Sequence, residues 1–149
     1  MTDRENLIYL AGIIDGEGTV SITKYNDTNS YSIRLNIPNT DKRLINWLQT
    51  NFKCAVYETR TGNVNNNRKW KDVSDWVCIG KNAYILLKQV RGFLLLKQEQ
   101  TDLAIQLFEK VTKLEFRGRR RPPYIIQRQE NLYEQCKKLN RRGKAEEND

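Results

Sequence analysis

The chain has 149 residues, 38% of them hydrophobic and 30% charged, with 26 lysines and arginines against 18 acids. That length and balance suit one globular domain with a real core, and the net charge of +8 favours a polyanionic partner. Without a single histidine a histidine general base and a zinc site are excluded, and no apolar run of about 18 residues is present to span a membrane.

Leu7, Leu10, Ala11 and Ile14 fall at helical spacing, and Ile8 and Ile13 widen the stripe. The spacing predicts a first helix buried on more than one side. Thr2 and Glu5 stand at capping-box spacing with Asp3 between them. The chain runs straight into this helix, which leaves no room for a signal or transit peptide, so the protein is expected to work in the compartment where it is made. The end of the helix is unusual: Asp15 and Glu17 lie among Gly12, Gly16 and Gly18. Glycines are ordinary there, but acids face carbonyls that already make that end negative, and their presence asks for a cation.

Thr19 to Tyr25 and Tyr31 to Ile37 both alternate, with Val20 and Ile22, then Ile33, Leu35 and Ile37, on one face. An Asn-Asp-Thr-Asn-Ser turn joins them, so the pair reads as an antiparallel hairpin. Its other face carries Ser21, Thr23, Tyr25, Ser32, Arg34 and Asn36, either a solvated sheet face or a ribbon able to enter a DNA groove. Pro38 is expected to end the second strand, and Asn39 or Thr40 to cap a helix burying Leu44, Ile45, Trp47, Leu48 and Phe52. A second hairpin follows, with strands at Ala55 to Arg60 and Trp70 to Ile79. Helices are then expected at Lys81 to Val90, Gln98 to Glu115 and from Pro122 onward, with a frayed charged tail after Arg141. Cys54, Cys78 and Cys136 show no metal-type spacing and read as reduced and structural in an intracellular protein.

The nine residues Leu10 to Gly18, LAGIIDGEG, resemble the signature of the LAGLIDADG homing endonucleases, with small, apolar and acidic positions matched throughout. The resemblance implies an α+β domain over residues 1–140. Its elements would run αββαββα, with a four-stranded antiparallel saddle-shaped sheet and helices on one side. One signature per chain implies a homodimer whose two signature helices pack together, giving Leu7, Leu10, Ala11, Gly12 and Asp15 as interface residues. The implied activity is metal-dependent cleavage of both strands of a long pseudo-palindromic DNA site, leaving short 3′ overhangs, in a protein encoded by a mobile intron. Such a gene would be organellar, prokaryotic or phage-borne.

Residue by residue, Glu17 matches the last acidic position and is the expected metal ligand and catalytic carboxylate, with the Gly16 carbonyl as a second ligand. The ion is expected to be Mg2+, with Mn2+ or Ca2+ able to take its place. Asn39, Arg43 and Lys97 match three positions that surround the metals in relatives with one signature, although Asn39 stands where glutamine is usual. For DNA, the polar hairpin face is joined by Arg60, Arg68 and Lys69. Arg34 is suited to guanine and Asn36 to adenine. Arg117, Arg119, Arg120 and Arg121 read equally as phosphate clamps or as a solvated loop. Two rival readings stand beside cleavage: an intron RNA maturase, and a DNA-binding regulator that does not cut.

Overall fold

The computed structural model describes residues 1–28, 30–59, 71–112 and 120–141. Helix α1 (Asp3–Gly16) leads into β1 (Thr19–Tyr25), β2 (Ser30–Asn39), α2 (Lys42–Phe52), β3 (Ala55–Thr59) and β4 (Val73–Ile79). Then come α3 (Gly80–Val90), a 3-10 turn (Arg91–Phe93), α4 (Gln98–Leu107) running on into a π-helical turn (Phe108–Thr112), and α5 (Pro123–Leu139). The strands form one antiparallel sheet in the order β1-β2-β4-β3, so β2 and β4 are central. This is the αββαββα order expected, with α4 and α5 added.

Alternation determines which way each strand faces. Val20 and Ile22, then Ile33, Leu35 and Ile37, then Trp76 and Cys78 all point to the covered face and are buried. Leu10, Ala11 and Ile14 of α1, Leu87 and Val90 of α3 and Ala104 and Leu107 of α4 belong to the same core. Each fully buried leucine or isoleucine contributes roughly 1.5–3 kcal/mol. In α5, Ile125, Gln129, Leu132 and Cys136 recur at helical spacing as its buried side. An aromatic run, Tyr9–Trp47–Phe52–Trp76, links α1 through α2 to the sheet with successive ring-centroid distances of 4.8, 5.6 and 6.3 Å.

The capping box of α1 is present: Glu5 N–H donates to Thr2 Oγ1 and Thr2 N–H to Glu5 Oε2. Gly80 turns the chain from β4 directly into α3 at φ +58, a left-handed conformation that costs glycine little.

Several boundaries differ from expectation. Pro38 sits inside β2, opposite Asp75. The cap of α2 is Asp41 rather than Thr40 or Asn39, its carboxylate accepting from Arg43 N–H. The strand expected from Trp70 begins at Val73. The helix expected to reach Glu115 loses regular α geometry after Leu107, and Glu115 itself lies outside the described residues. The cysteines read as reduced divide: Cys54 and Cys78 are joined across β3 and β4, Cα atoms 5.2 Å apart, while Cys136 is free and buried. Cys54 directly precedes Ala55, which pairs with Val77, so the ladder itself brings the two together.

A polar knot fastens α5 to the first hairpin. Glu130 accepts from Lys24 Nζ at 2.7 Å and from the Tyr31 hydroxyl. These donors hold the Glu130 carboxyl below its ordinary 4.5, the Lys24 bond first among the causes. The Glu130 bond in turn raises Lys24, while burial foremost raises Tyr31. The knot therefore stabilises the fold fully between the ordinary carboxylate value and about 10. It weakens as pH falls through the lowered Glu130 value, or rises through those of Tyr31 and Lys24. Glu130→Gln is expected to lower Tm by a few degrees at pH 7 and by progressively less as pH falls through the lowered Glu130 value, a trend that melts across pH would check.

Candidate functional site

The turn after α1 is held from two sides. Gly18 N–H donates to the carbonyls of Ile13 and Ile14 at 3.1 and 3.0 Å, closing the helix. A Cβ on Gly18 would lie 2.8 Å from Ile14 Cα, so this is the glycine of the signature that close backbone approach demands. Gly18→Ala is expected to cost ~2 kcal/mol by overpacking against backbone, seen as a lower urea midpoint. Gly12 and Gly16 would meet nothing within 4 Å.

Lys97 supplies the cation that two acids at a helix C-terminus call for. Its Nζ donates to the carbonyls of Ile14 at 2.6 Å, of Asp15 at 3.2 Å and of Gly18, neutralising the negative end of α1. The Asp15 carboxylate accepts three backbone N–H groups, from Leu95 at 2.8 Å, Leu96 at 3.2 Å and Lys97 at 3.1 Å. Asp15 is therefore spent inside its own chain rather than offered to a partner. This loop leaves Leu95 and Leu96 85% and 74% exposed. Periodicity groups both leucines with the apolar residues of the helix that follows, whereas the structure leaves them open to solvent.

Glu17 caps the C-terminal end of α1 and is exposed, as is Gly16. Asn39, the last residue of β2, donates its Nδ2 to Glu17 Oε2. Asn39 Oδ1 accepts from Asp41 N–H at 2.7 Å. Asp41 in turn clasps Arg43, Oδ2 meeting Nη2 at 2.6 Å and Oδ1 meeting Nε at 3.1 Å. Glu17, Asn39, Asp41 and Arg43 thus form one hydrogen-bonded chain at the shared end of β1 and β2, with Lys97 on the backbone of the same turn. The structure brings all four expected residues to one corner. It adds Asp41, which sequence reading overlooks and which the helix-start pattern Asp-x-Arg marks.

The donors at this corner, the Glu17 carboxylate and the Gly16 carbonyl, are oxygens and suit a hard divalent cation. No group of three or more His, Cys, Asp or Glu able to hold a metal gathers among the described residues.

Across the sheet's other face, the register pairs Thr19 with Asn36, Ser21 with Arg34 and Thr23 with Ser32, so the expected polar set shares one surface. Tyr25 and Arg34 are exposed, and Ser21, Thr23, Ser32 and Asn36 half-buried. One member is not as expected: Asn36 Nδ2 donates to Asp75 Oδ1 at 3.1 Å and its Oδ1 is buried. A bidentate adenine contact by Asn36 would have to break that bond. Arg60, Arg68, Lys69, Arg117 and Arg119 lie outside the described residues. Arg120 is exposed, and Arg121 Nη1 reaches Gln129 Oε1 at 3.3 Å.

The residues expected to face a partner from α1 divide: Gly12 is exposed, but others are not. Leu10 and Ala11 are fully buried in the chain's own core, and Leu7 packs partly against it. The stripe left open is Ile8, Gly12 and Gly16, flanked by Tyr9 and continued by Leu95 and Leu96. Its members are spaced by four residues, one face of the helix.

No protein-family model matches the sequence. The chain is similar to the DNA endonuclease I-CreI of Chlamydomonas reinhardtii, 31% identical over 114 residues that span 73% of this chain and 66%, just under two thirds, of that relative. In three dimensions it resembles the homing endonuclease I-CvuI in complex with its target in the presence of 2 mM Ca, with a TM-score of 0.70 at 18% identity over 95% of this chain and 85% of that one. It also resembles the archaeal intron-encoded homing endonuclease I-Vdi141I complexed with DNA, with a TM-score of 0.71 at 15% identity over 99% and 91% of the two chains. With LAGIIDGEG closing α1 and the αββαββα sheet behind it, the chain carries the signature and the fold of the LAGLIDADG homing endonucleases.

Proposed function

We propose that the protein is a site-specific endonuclease for double-stranded DNA that acts as a twofold dimer on a long pseudo-palindromic site. It would use a divalent cation, Mg2+ first, and be encoded within a mobile intron of an organellar, prokaryotic or phage genome. The observation that carries this reading is the exposed Glu17 carboxylate at the end of the polar sheet face, bonded to Asn39 and backed by Lys97. A protein that only held nucleic acid would gain nothing by aiming an acid at phosphate.

The chain's own residues divide the work. Ser21, Thr23, Tyr25, Ser32 and Arg34 present donors and acceptors along one side of a twisted antiparallel ribbon, the shape the major groove admits. Arg34, with Arg60, Arg68, Lys69, Arg117, Arg119, Arg120 and Arg121 as further basic candidates, meets phosphate and bases. Two subunits meeting along Ile8, Gly12 and Gly16 bring one Glu17 from each beside the other. Asn39 holds the carboxylate in place, and Lys97 keeps the turn beneath it closed. A hard cation bound by Glu17 and the Gly16 carbonyl would supply Lewis acidity at phosphate and acidify water. The I-CvuI structure in the presence of Ca supports a divalent ion.

The test is incubation of the purified protein with a randomised duplex library, with and without Mg2+. The expected result is recovery of one family of pseudo-palindromic sequences cut on both strands only when metal is present. Binding of intron RNA with no DNA cut in any metal would favour the maturase instead.

A further inference from the structure

Asp41 stands outside the nine-residue signature, yet it lies at the crossing of two bonds that matter to the corner. Its carboxylate accepts the Arg43 backbone N–H at 2.9 Å, capping α2. The same carboxylate takes the Arg43 guanidinium, Oδ1 and Oδ2 both meeting Nε at 3.1 Å and Oδ2 meeting Nη2 at 2.6 Å. Its own N–H donates to Asn39, the residue that holds Glu17. Arg43 is otherwise open to solvent, its side chain 91% exposed, and an arginine so placed would sweep many rotamers.

We propose that Asp41 is a positioning residue for the nuclease site: it fixes the Arg43 guanidinium beside Asn39 and Glu17 and leaves Nη1 to meet an anion. This rests on the endonuclease reading above. A guanidinium has five N–H donors in a rigid fork. Using the Nε edge for Asp41 turns the remaining donors outward together, in a fixed direction, toward whatever phosphate occupies the corner. The contribution is geometric, because the ion pair as a whole carries no net charge and adds little long-range attraction. The Arg43 side chain first, and its backbone N–H second, hold the Asp41 carboxyl down to about 2, so the clasp is ionised throughout the neutral range.

Asp41→Asn separates the two duties. Asparagine caps a helix about as well as aspartate, so α2 remains, while the charged clasp on Arg43 is lost. The experiment compares wild type, Asp41→Asn, Arg43→Ala and the double variant on the duplex that wild type cleaves, by single-turnover rate and by equilibrium binding in Ca2+. The expected result for Asp41→Asn is a rate about tenfold lower with an affinity within threefold of wild type. The double variant is expected to be no slower than Arg43→Ala alone. A wild-type or faster rate for Asp41→Asn overturns the proposal, as does an additive loss in the double variant. The Arg43 Nε–H resonance, protected from exchange in wild type and unprotected in Asp41→Asn, reads the clasp without any cleavage. If wild type cuts no DNA, the nuclease reading fails and the positioning role fails with it, whereas that resonance still reports whether the clasp exists. An unprotected resonance in wild type overturns the proposal even where the DNA is cut.

Discussion

Glu17→Gln is expected to leave a folded protein that binds its duplex with unchanged affinity and cuts it at least a thousandfold more slowly. The carboxylate is exposed, so the substitution buries nothing and opens no cavity. An amide oxygen can still accept from Asn39, and losing a negative charge at the C-terminal end of α1 is neutral or favourable by roughly 0.3–1 kcal/mol. Tm should therefore hold or rise slightly. What disappears is the anionic ligand, and electrostatic stabilisation of this kind carries rate factors on the order of 10²–10³ for a single donor. Because a twofold dimer loses both copies at once, the total is expected to be larger. Single-turnover cleavage, gel-shift binding in Ca2+ and a thermal melt measure the three quantities. A variant that cuts at more than a tenth of the wild-type rate would remove Glu17 from the chemistry.

Gly12→Leu tests the other half of the arrangement. Within one chain the position is open, since a Cβ there meets nothing within 4 Å, and leucine is a better helix former than glycine by roughly 0.8–1 kcal/mol. The isolated subunit should fold as well as wild type or better. Between two chains the outcome reverses. Helices whose contact is made by glycines approach at or below the usual 8–10 Å, and a leucine at the crossing forces them apart. The expected result is a monomer by sedimentation with an unchanged circular dichroism spectrum. Each half-site would then bind alone, and loss of the second binding event weakens affinity by about 10²–10⁴. Cleavage should vanish with it. A Gly12→Leu protein that sediments as the wild type does would move the interface off this stripe.

Much of this molecule is legible in the order of its residues. The first hairpin is, because two strands alternate cleanly and a one-residue slip would expose every isoleucine. So is the capping box of α1, whose two partners lie three residues apart and need nothing from the rest of the chain. The signature points to Glu17, and the resemblance it carries points to Asn39, Arg43 and Lys97, all of which fold to one corner. The same local reasoning goes astray at α2. Asn39, Thr40 and Asp41 are all competent caps, and Asn39 is drawn away to Glu17.

The faces of α1 mark the boundary between the two kinds of knowledge. Periodicity finds an apolar stripe through Leu7, Leu10, Ala11 and Ile14 with Ile8 and Ile13 beside it, but it is blind to which of these the chain covers with its own core. That choice comes from α3 and the 3-10 turn after it packing against α1, with Leu10 and Ala11 in the common core. Lys97 is similar. Its charge and position after three leucines are plain in the sequence, yet its partners are carbonyls some eighty residues earlier. Local sequence carries the chemistry and the short-range geometry of this protein, because backbone sterics act over a few residues. Which polar group meets which, and which face is left for a partner, depends on contacts between segments far apart in the chain, and these exist only once the core has formed.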